Sequence, residues 1–328
     1  MALNGGTFRH QACIYGSDQQ FLEMAVPFVD QGLARGEPVL TVTTPANLAL
    51  VSSALGPRAG DVDYAESAFF GRRPPQRVAA FHRYWKRHAP AGGQGQVRVI
   101  AEPVWAGRSA REIAAWTRME AALNVAMAGT SIFMICPYDT RIAGPDIIAG
   151  SRRTHPAQMD GSRSSTSADY ADPAAFARTC DTGLLAEPPA SAAAFQLDGD
   201  LRGLRQFIAS RAAAYGLTRD RAAMLVQACG EVGSYLKGLA AGGATVRAWE
   251  QPGAVVCDFC QPLTSISDPF LGLRPAELEP GPGDGLWLAS QICDWVEIRN
   301  SADSCTIRLQ VPSRRDEEMA QPGVRYPV

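Results

Sequence analysis

Between Gln11 and Cys136 the chain alternates short β-rich runs with stretches of helical spacing, and no other feature restricts its fold as much. The runs are Gln11–Tyr15 (QACIY), Pro38–Thr44 (PVLTVTT), Val62–Ala65, Val97–Val104 (VRVIAEPV) and Ser131–Cys136 (SIFMIC). Pro38–Thr44 is almost continuously apolar or β-branched, as expected of a strand covered on both faces. Phe21, Leu22, Ala25, Val26 and Val29 recur at helical spacing. Further helices are expected over Ala46–Leu55, from Pro74 to about His88, and from Ser109 to about Gly129. Proline is tolerated in a first helical turn, and Ser109 with Glu112 has capping-box spacing. Parallel neighbours need a long return between them, so this rhythm predicts a largely parallel sheet with right-handed crossovers.

From Ala157 to Ala194 the pattern breaks. GSRSSTSADYADP is small and polar and LLAEPPASAAA is rich in Ala and Pro, which is linker chemistry, with Tyr170 and Phe176 able to pack. Beyond it, Leu201, Leu204, Phe207 and Ile208 share one helical face. Ala222, Leu225, Val226, Cys229, Val232 and Leu236 line a longer helix after Thr218. Strands at Thr245–Trp249 and Val255–Cys260, a helix over Leu286–Cys293 and a hairpin of Trp295–Arg299 with Cys305–Val311 complete an α+β pattern. The chain of 328 residues therefore reads as two domains: 1–175, a linker 176–194, 195–312, and a disordered tail 313–328.

Composition excludes several classes. With 31 basic against 33 acidic residues, a dedicated nucleic-acid binder is not expected. No apolar run approaches the ~20 residues of a membrane span, and Met1–His10 lacks a secretory pattern. Eight cysteines spread along the whole chain do not form a small disulfide scaffold. A cytoplasmic protein is expected.

In open parallel sheets, ligands bind beyond the carboxyl ends of the strands. Those ends carry Tyr15, Asp18, Thr43, Thr44, Glu102, Trp105, Cys136, Tyr138 and Asp139. GxxxxGK[ST] and GxGxxG are both absent, so no phosphate cradle is expected. His10 and His155 are weighed as metal ligands, but two separated histidines more often cap or pack, and no metal is expected. Several segments resemble the MEDS sensory domain: FRHQACIYGSDQQFLEMAVPFVDQGLARGEPVLTVTTP, EPVWAGRSAREI, RMEAALNVAMAG, CPYDT and RRTHP. The resemblance spans Thr7 to Pro173. It implies a RecA-like α/β fold without a P-loop and a sensing role for a small molecule. Its candidate ligand-sensing residues are His10, Tyr15, Glu102, Trp105, Glu120, Cys136, Tyr138, Asp139 and His155.

Leu201 to Val311 resembles the GHKL-type ATP-binding domain of serine-kinase anti-sigma factors, through LRGLRQFIASRAAAYGL, GEVGSYLKGLA, ISDPF and GDGLWLASQICDWVEIR. Such a site needs a Glu and, four residues on, an Asn whose amide oxygen holds magnesium. It also needs a DxGxG turn for the adenine and a glycine turn before a helix N-terminus for the phosphates. Glu231 matches the general base, but Tyr235 replaces the Asn and Gly230 stands where a further Asn is usual. Gln261 replaces the Asp and Leu263 the first glycine, where its side chain is expected to crowd the adenine. Asp268, Gly283 and Gly285 remain as nucleotide-binding remnants. The resemblance thus implies a pseudokinase with no cofactor assigned and with ATP and magnesium binding weakened. Its partner would be a sigma factor or an anti-anti-sigma protein of the STAS type, and proteins of this type often dimerise. The alternative is an active ATP-dependent protein serine kinase. A third reading puts an enzymatic site around Glu102, Tyr138 and Asp139. Cys257 and Cys260 lie in an expected strand, where i and i+3 face opposite sides, so they are not assigned a metal.

Overall fold

The computed structural model of the chain describes residues 8–89, 95–161, 163–180, 183, 185–239, 242–275, 281 and 283–313. The chain divides into two compact units, residues 1–182 with 273–275 and residues 183–272 with 276–328.

The first unit is built on β1 (Arg9–Tyr15), β2 (Val39–Thr43), β3 (Asp63–Glu66), β4 (Val97–Ala101), β5 (Ile132–Asp139), β6 (Ala157–Asp160) and β7 (Arg163–Thr166). Their order in one sheet is β3-β2-β4-β5-β1-β6-β7, parallel except for the β6–β7 pair. Strands β2, β4 and β5 are buried along their whole length, which is why their sequences are mostly apolar or β-branched, with Arg98 and Asp139 as the charged exceptions. Helices α1 (Asp18–Leu33) and α2 (Pro45–Leu55) cover one face and contribute Phe21, Phe28, Val29 and Val51 to its core. Helices α3 (Pro74–His88), α4 (Ala110–Ala126) and α5 (Pro145–Thr154) cover the other. Each starts as its sequence dictates. Thr44 and Ser109 cap α2 and α4 by accepting backbone N–H groups, Ser109 and Glu112 form a full capping box, and proline opens α3.

Two buried arginines cross this packing. Arg98 pairs with Glu37 at 2.6 Å and donates to the Phe28 carbonyl at 2.9 Å. A Cβ on Gly32 would stand 2.6 Å from the Arg98 side chain, so this helix turn needs glycine. Arg77 donates to the Ser67 carbonyl at 2.6 Å and lies 5.0 Å from the Trp116 ring.

The stretch expected to be linker is largely ordered into elements. Residues 157–160 and 163–166 form the antiparallel β6–β7 pair, whose first strand pairs in parallel with β1 (Gln11 opposite Ala157). Polar residues suffice there because backbone pairing, not apolar burial, holds an edge. Helix α6 (Pro173–Cys180) packs Phe176 and Ala177 against α4, so the boundary expected at 176 falls inside a helix. At its other end, residues 193 and 194 already belong to a strand.

The second unit is an antiparallel sheet of β8 (Ala193–Leu197), β9 (Ala244–Gln251), β10 (Ala254–Pro262), β11 (Trp295–Asn300) and β12 (Ser304–Pro312), ordered β11-β12-β10-β9-β8. Helices α7 (Leu201–Ala214), α8 (Arg219–Gly238) and α9 (Asp284–Ile292) pack on one face. Their Leu204, Ile208, Val232 and Leu286 meet Val246, Cys257, Phe259 and Ile307. Cys257 is buried in that core while Cys260 is half-buried, as their odd separation requires. On the opposite face Asp258 and Arg308 are direct cross-strand partners and form a bidentate pair, with both N–O distances 2.6 Å. The fold is therefore mixed α/β: a mostly parallel sheet first, then an antiparallel sheet with helices. Ser313, at the start of the expected tail, donates its N–H to the Gly253 carbonyl; residues 314–328 lie outside the described residues. No described helix is long and apolar enough to cross a membrane.

Candidate functional site

Side chains alternate across a strand, so the candidate residues of the first unit divide between two faces of its sheet. Tyr15, Glu102 and Asp139 fall on the α1/α2 face. Glu102, one residue beyond β4, is buried and fully engaged. Its Oε1 accepts from the Tyr15 hydroxyl at 2.7 Å, and its Oε2 accepts from Asn47 at 2.9 Å and from the Thr43 hydroxyl. Asn47 also donates to the Tyr15 oxygen at 2.9 Å. The Glu102 carbonyl accepts from Ser67, which Arg77 grips in turn. Burial, then the Glu102 carboxylate, raise the Tyr15 phenol far above its ordinary range, so it serves as a neutral donor. Asp139 ends β5 and is held by Arg141 at 2.8 Å, and Arg141 also reaches Asp18 at 2.9 Å. Burial opposes ionisation of Asp139, yet the Arg141 bonds keep its carboxyl below the ordinary value. The enzymatic grouping of Glu102, Tyr138 and Asp139 is not assembled: Tyr138 lies in the core of the other face.

That second face holds His10, Glu120, Cys136, Tyr138 and His155. The two histidines expected to be separate are neighbours, with ring centroids 3.9 Å apart. The order β5-β1-β6 explains this: Gln11 pairs with Ala157, two residues after His155, while β5 sets Cys136 beside β1 under α4, which carries Glu120. One donor atom from each of His10, Glu120, Cys136 and His155 lies within 4.8 Å of the other three, and all four residues are buried. These are residues able to hold a metal ion together. Burial pushes His10 down to about 4 and His155 down to about 3, and it raises Glu120 and Cys136. Each group on its own thus favours its uncharged form. Trp105 stacks on Tyr138 at 6.0 Å, and Tyr138 meets His155 edge-on at 5.7 Å.

Residues 9–156 match the MEDS family, described as the MEthanogen/methylotroph, DcmR Sensory domain. The match supports a sensory domain over this stretch and a signalling or regulatory role. No curated protein matches the chain.

The MEDS stretch also supplies most of a cavity that the strand-end rule does not find. About 250 Å³ in volume, it is lined by Arg9, Gln11, Phe28, Arg35, Arg98 and Ser164 among others. Arg9, Arg98 and Phe133 lie within the first two residues of their strands, so this cavity lies towards the opposite end of the sheet. Arg98 Nη2 and Gln11 Oε1 are buried without a partner. Burial first, then Arg98 and Arg35, lower the Arg9 pKa, which marks the repulsion among cations gathered there. Arginines on buried strands are a sequence signal for this cavity; the expected site list omitted them.

In the second unit, Glu231 stands against the first turn of α9: a Cβ on Gly285 would lie 2.6 Å from its Oε2. Gly283 precedes that helix with φ +98°. Asp268 accepts the Phe270 N–H at 3.0 Å. Gln261 lines a different cavity, of about 400 Å³, with Asp198, Gly199, Lys237 and Ala244. The structure therefore brings Glu231 and Gly285 together but places Gln261 elsewhere. Tyr235 packs against the hydrophobic core. Leu263 takes φ +54°, the conformation a glycine favours, and its side chain is 87% exposed. It extends into solvent.

Proposed function

We propose that the chain is a signalling regulator whose MEDS unit senses a small organic anion and whose second unit passes the signal to a protein partner. The observation that carries the input is the 250 Å³ cavity that Arg98 and Gln11 line together. Three arginines gathered at one cavity leave it cationic, and a small carboxylate would balance that charge. Arg9 and Arg35 add attraction for its charge.

The output reading rests on the resemblance of Leu201–Val311 to anti-sigma factors. In it, residues 195–312 form a GHKL-like domain that holds a sigma factor or a STAS-type anti-anti-sigma protein without phosphoryl transfer. Two observations support the loss of catalysis. Tyr235, in the magnesium-ligand position, is committed to the core. Glu231 closes onto Gly285 where phosphates would need room. A ligand of the first unit switches the second only through different affinities for two states of the chain.

Calorimetric titration of the full chain tests both halves. A short carboxylate from a panel should bind saturably and lose affinity in Arg35→Gln and Gln11→Leu, whereas magnesium-ATP should give no heat of binding. No binding by any member of the panel would end the sensing assignment. Magnesium-dependent ATP binding that Glu231→Ala abolishes would instead favour an active kinase.

A further inference from the structure

We propose that His10, Glu120, Cys136 and His155 together bind a divalent transition-metal ion of zinc type, in a closed site on the α4/α5 face of the first sheet. The argument starts from distances. His10 Nε2 lies 3.3 Å from Cys136 Sγ and 3.4 Å from Glu120 Oε2, and His155 Nε2 lies 3.6 Å from the same Oε2. The two N–O separations exceed the range of good hydrogen bonds, ~2.7–3.2 Å. They match the edges of a coordination tetrahedron: bonds of ~2.0–2.3 Å to N, O and S imply edges of about 3.3–3.7 Å.

The outer hydrogen bonds fix which ring atoms face inward. His155 Nδ1 bonds the Ser151 carbonyl at 2.8 Å, so Nδ1 carries the proton and Nε2 presents a lone pair. Asn124 donates its amide to the Thr154 carbonyl at 2.8 Å, which turns its oxygen towards His10 Nδ1 at 3.1 Å. His10 therefore also presents a lone pair at Nε2. Two imidazole lone pairs and a carboxylate oxygen converge on one point, and both Glu120 Oε2 and His155 Nε2 are buried without a hydrogen-bond partner. Acceptors facing one another in a dry interior repel unless a proton or a cation lies between them, and a metal ion satisfies all of them at once. Such orienting contacts are also how ligating histidines are normally held.

Charge selects the ion. Two neutral imidazoles, a thiolate and a carboxylate balance a divalent cation, so the completed site is neutral and suited to burial. Mixed N, S and O donors favour zinc-like ions over magnesium or calcium, which prefer oxygen alone. Four protein ligands leave no open position, which assigns the ion to holding the domain together rather than to catalysis. It would tie β1, α4, β5 and the segment after α5 at one point. This inference stands apart from the anion cavity, which draws on the other face.

All four ligands are buried, so the test supplies metal while the chain folds. The full chain is produced in cobalt-supplemented minimal medium, and metal content and absorption spectrum are measured. One cobalt per chain is expected, with the strong visible bands of a tetrahedral ion and a thiolate-to-cobalt charge-transfer band. Cys136→Ser should abolish the charge-transfer band. Asn124→Ala, which removes only an orienting contact, should weaken retention against a chelator about 10–100-fold. Wild-type chain with native circular dichroism but neither cobalt nor zinc would overturn the proposal, whatever the variants do. So would a cobalt spectrum unchanged by Cys136→Ser.

Discussion

Asp139 shows how a residue at a strand end is held by its neighbours. Burial alone would raise its pKa, but Arg141 reverses the direction through three contacts of 2.8–3.1 Å. A carboxyl whose folded pKa is depressed stabilises the fold above its unfolded value, near about 3.9, and that stability is lost as pH falls through the folded value. Arg141→Ala should therefore lower the urea midpoint at neutral pH. The gap from wild type should close as pH falls below about 4. A gap that is constant with pH would mean that Arg141 acts through packing rather than charge.

At the scale of elements, α4 matters most because it carries Glu120 and Asn124. Its N-terminus is fixed by the Ser109–Glu112 capping box, and the Ser109 bonds hold the Glu112 carboxyl below its ordinary value. Ser109→Ala should cost about 0.5–2 kcal/mol in urea unfolding, whereas Ser109→Thr, which keeps the hydroxyl, should retain most of the stability. This helix start was legible in the sequence, since a cap is a local matter of four consecutive residues. The β6–β7 pair was not. Its residues are small and polar, and they form strands because β1 offers an unpaired edge, a fact set by strand order. Helix α6 escaped for a related reason: Phe176 is an isolated aromatic until α4 is there to cover it.

Across the whole molecule, the two units carry separate cores, so each should unfold as its own cooperative step. Scanning calorimetry of the full chain should resolve two transitions. Arg308→Met leaves the buried Asp258 carboxylate uncompensated, at a cost of about 3–5 kcal/mol, and should shift one transition only. Arg141→Ala should shift only the other. A single transition moved by both substitutions would mean that the units unfold as one.

The sequence by itself determined the strands and helices that bury an apolar face, because apolar periodicity is set by which faces each element must bury; it did not determine β6, β7 or α6. It also marked the chemistry at the strand ends, and residue parity alone already separates Tyr15 from His10 within β1 and Asp139 from Cys136 and Tyr138 within β5. Only the tertiary structure decided what those residues meet. His10, Glu120, Cys136 and His155 are distant in the chain, and they converge because the sheet sets β1 beside β5 and lays α4 over both. Likewise, Arg9, Gln11, Arg35 and Arg98 form one cavity only after packing. Local spacing governs elements, but a site is made by contacts whose sequence separation no local pattern records.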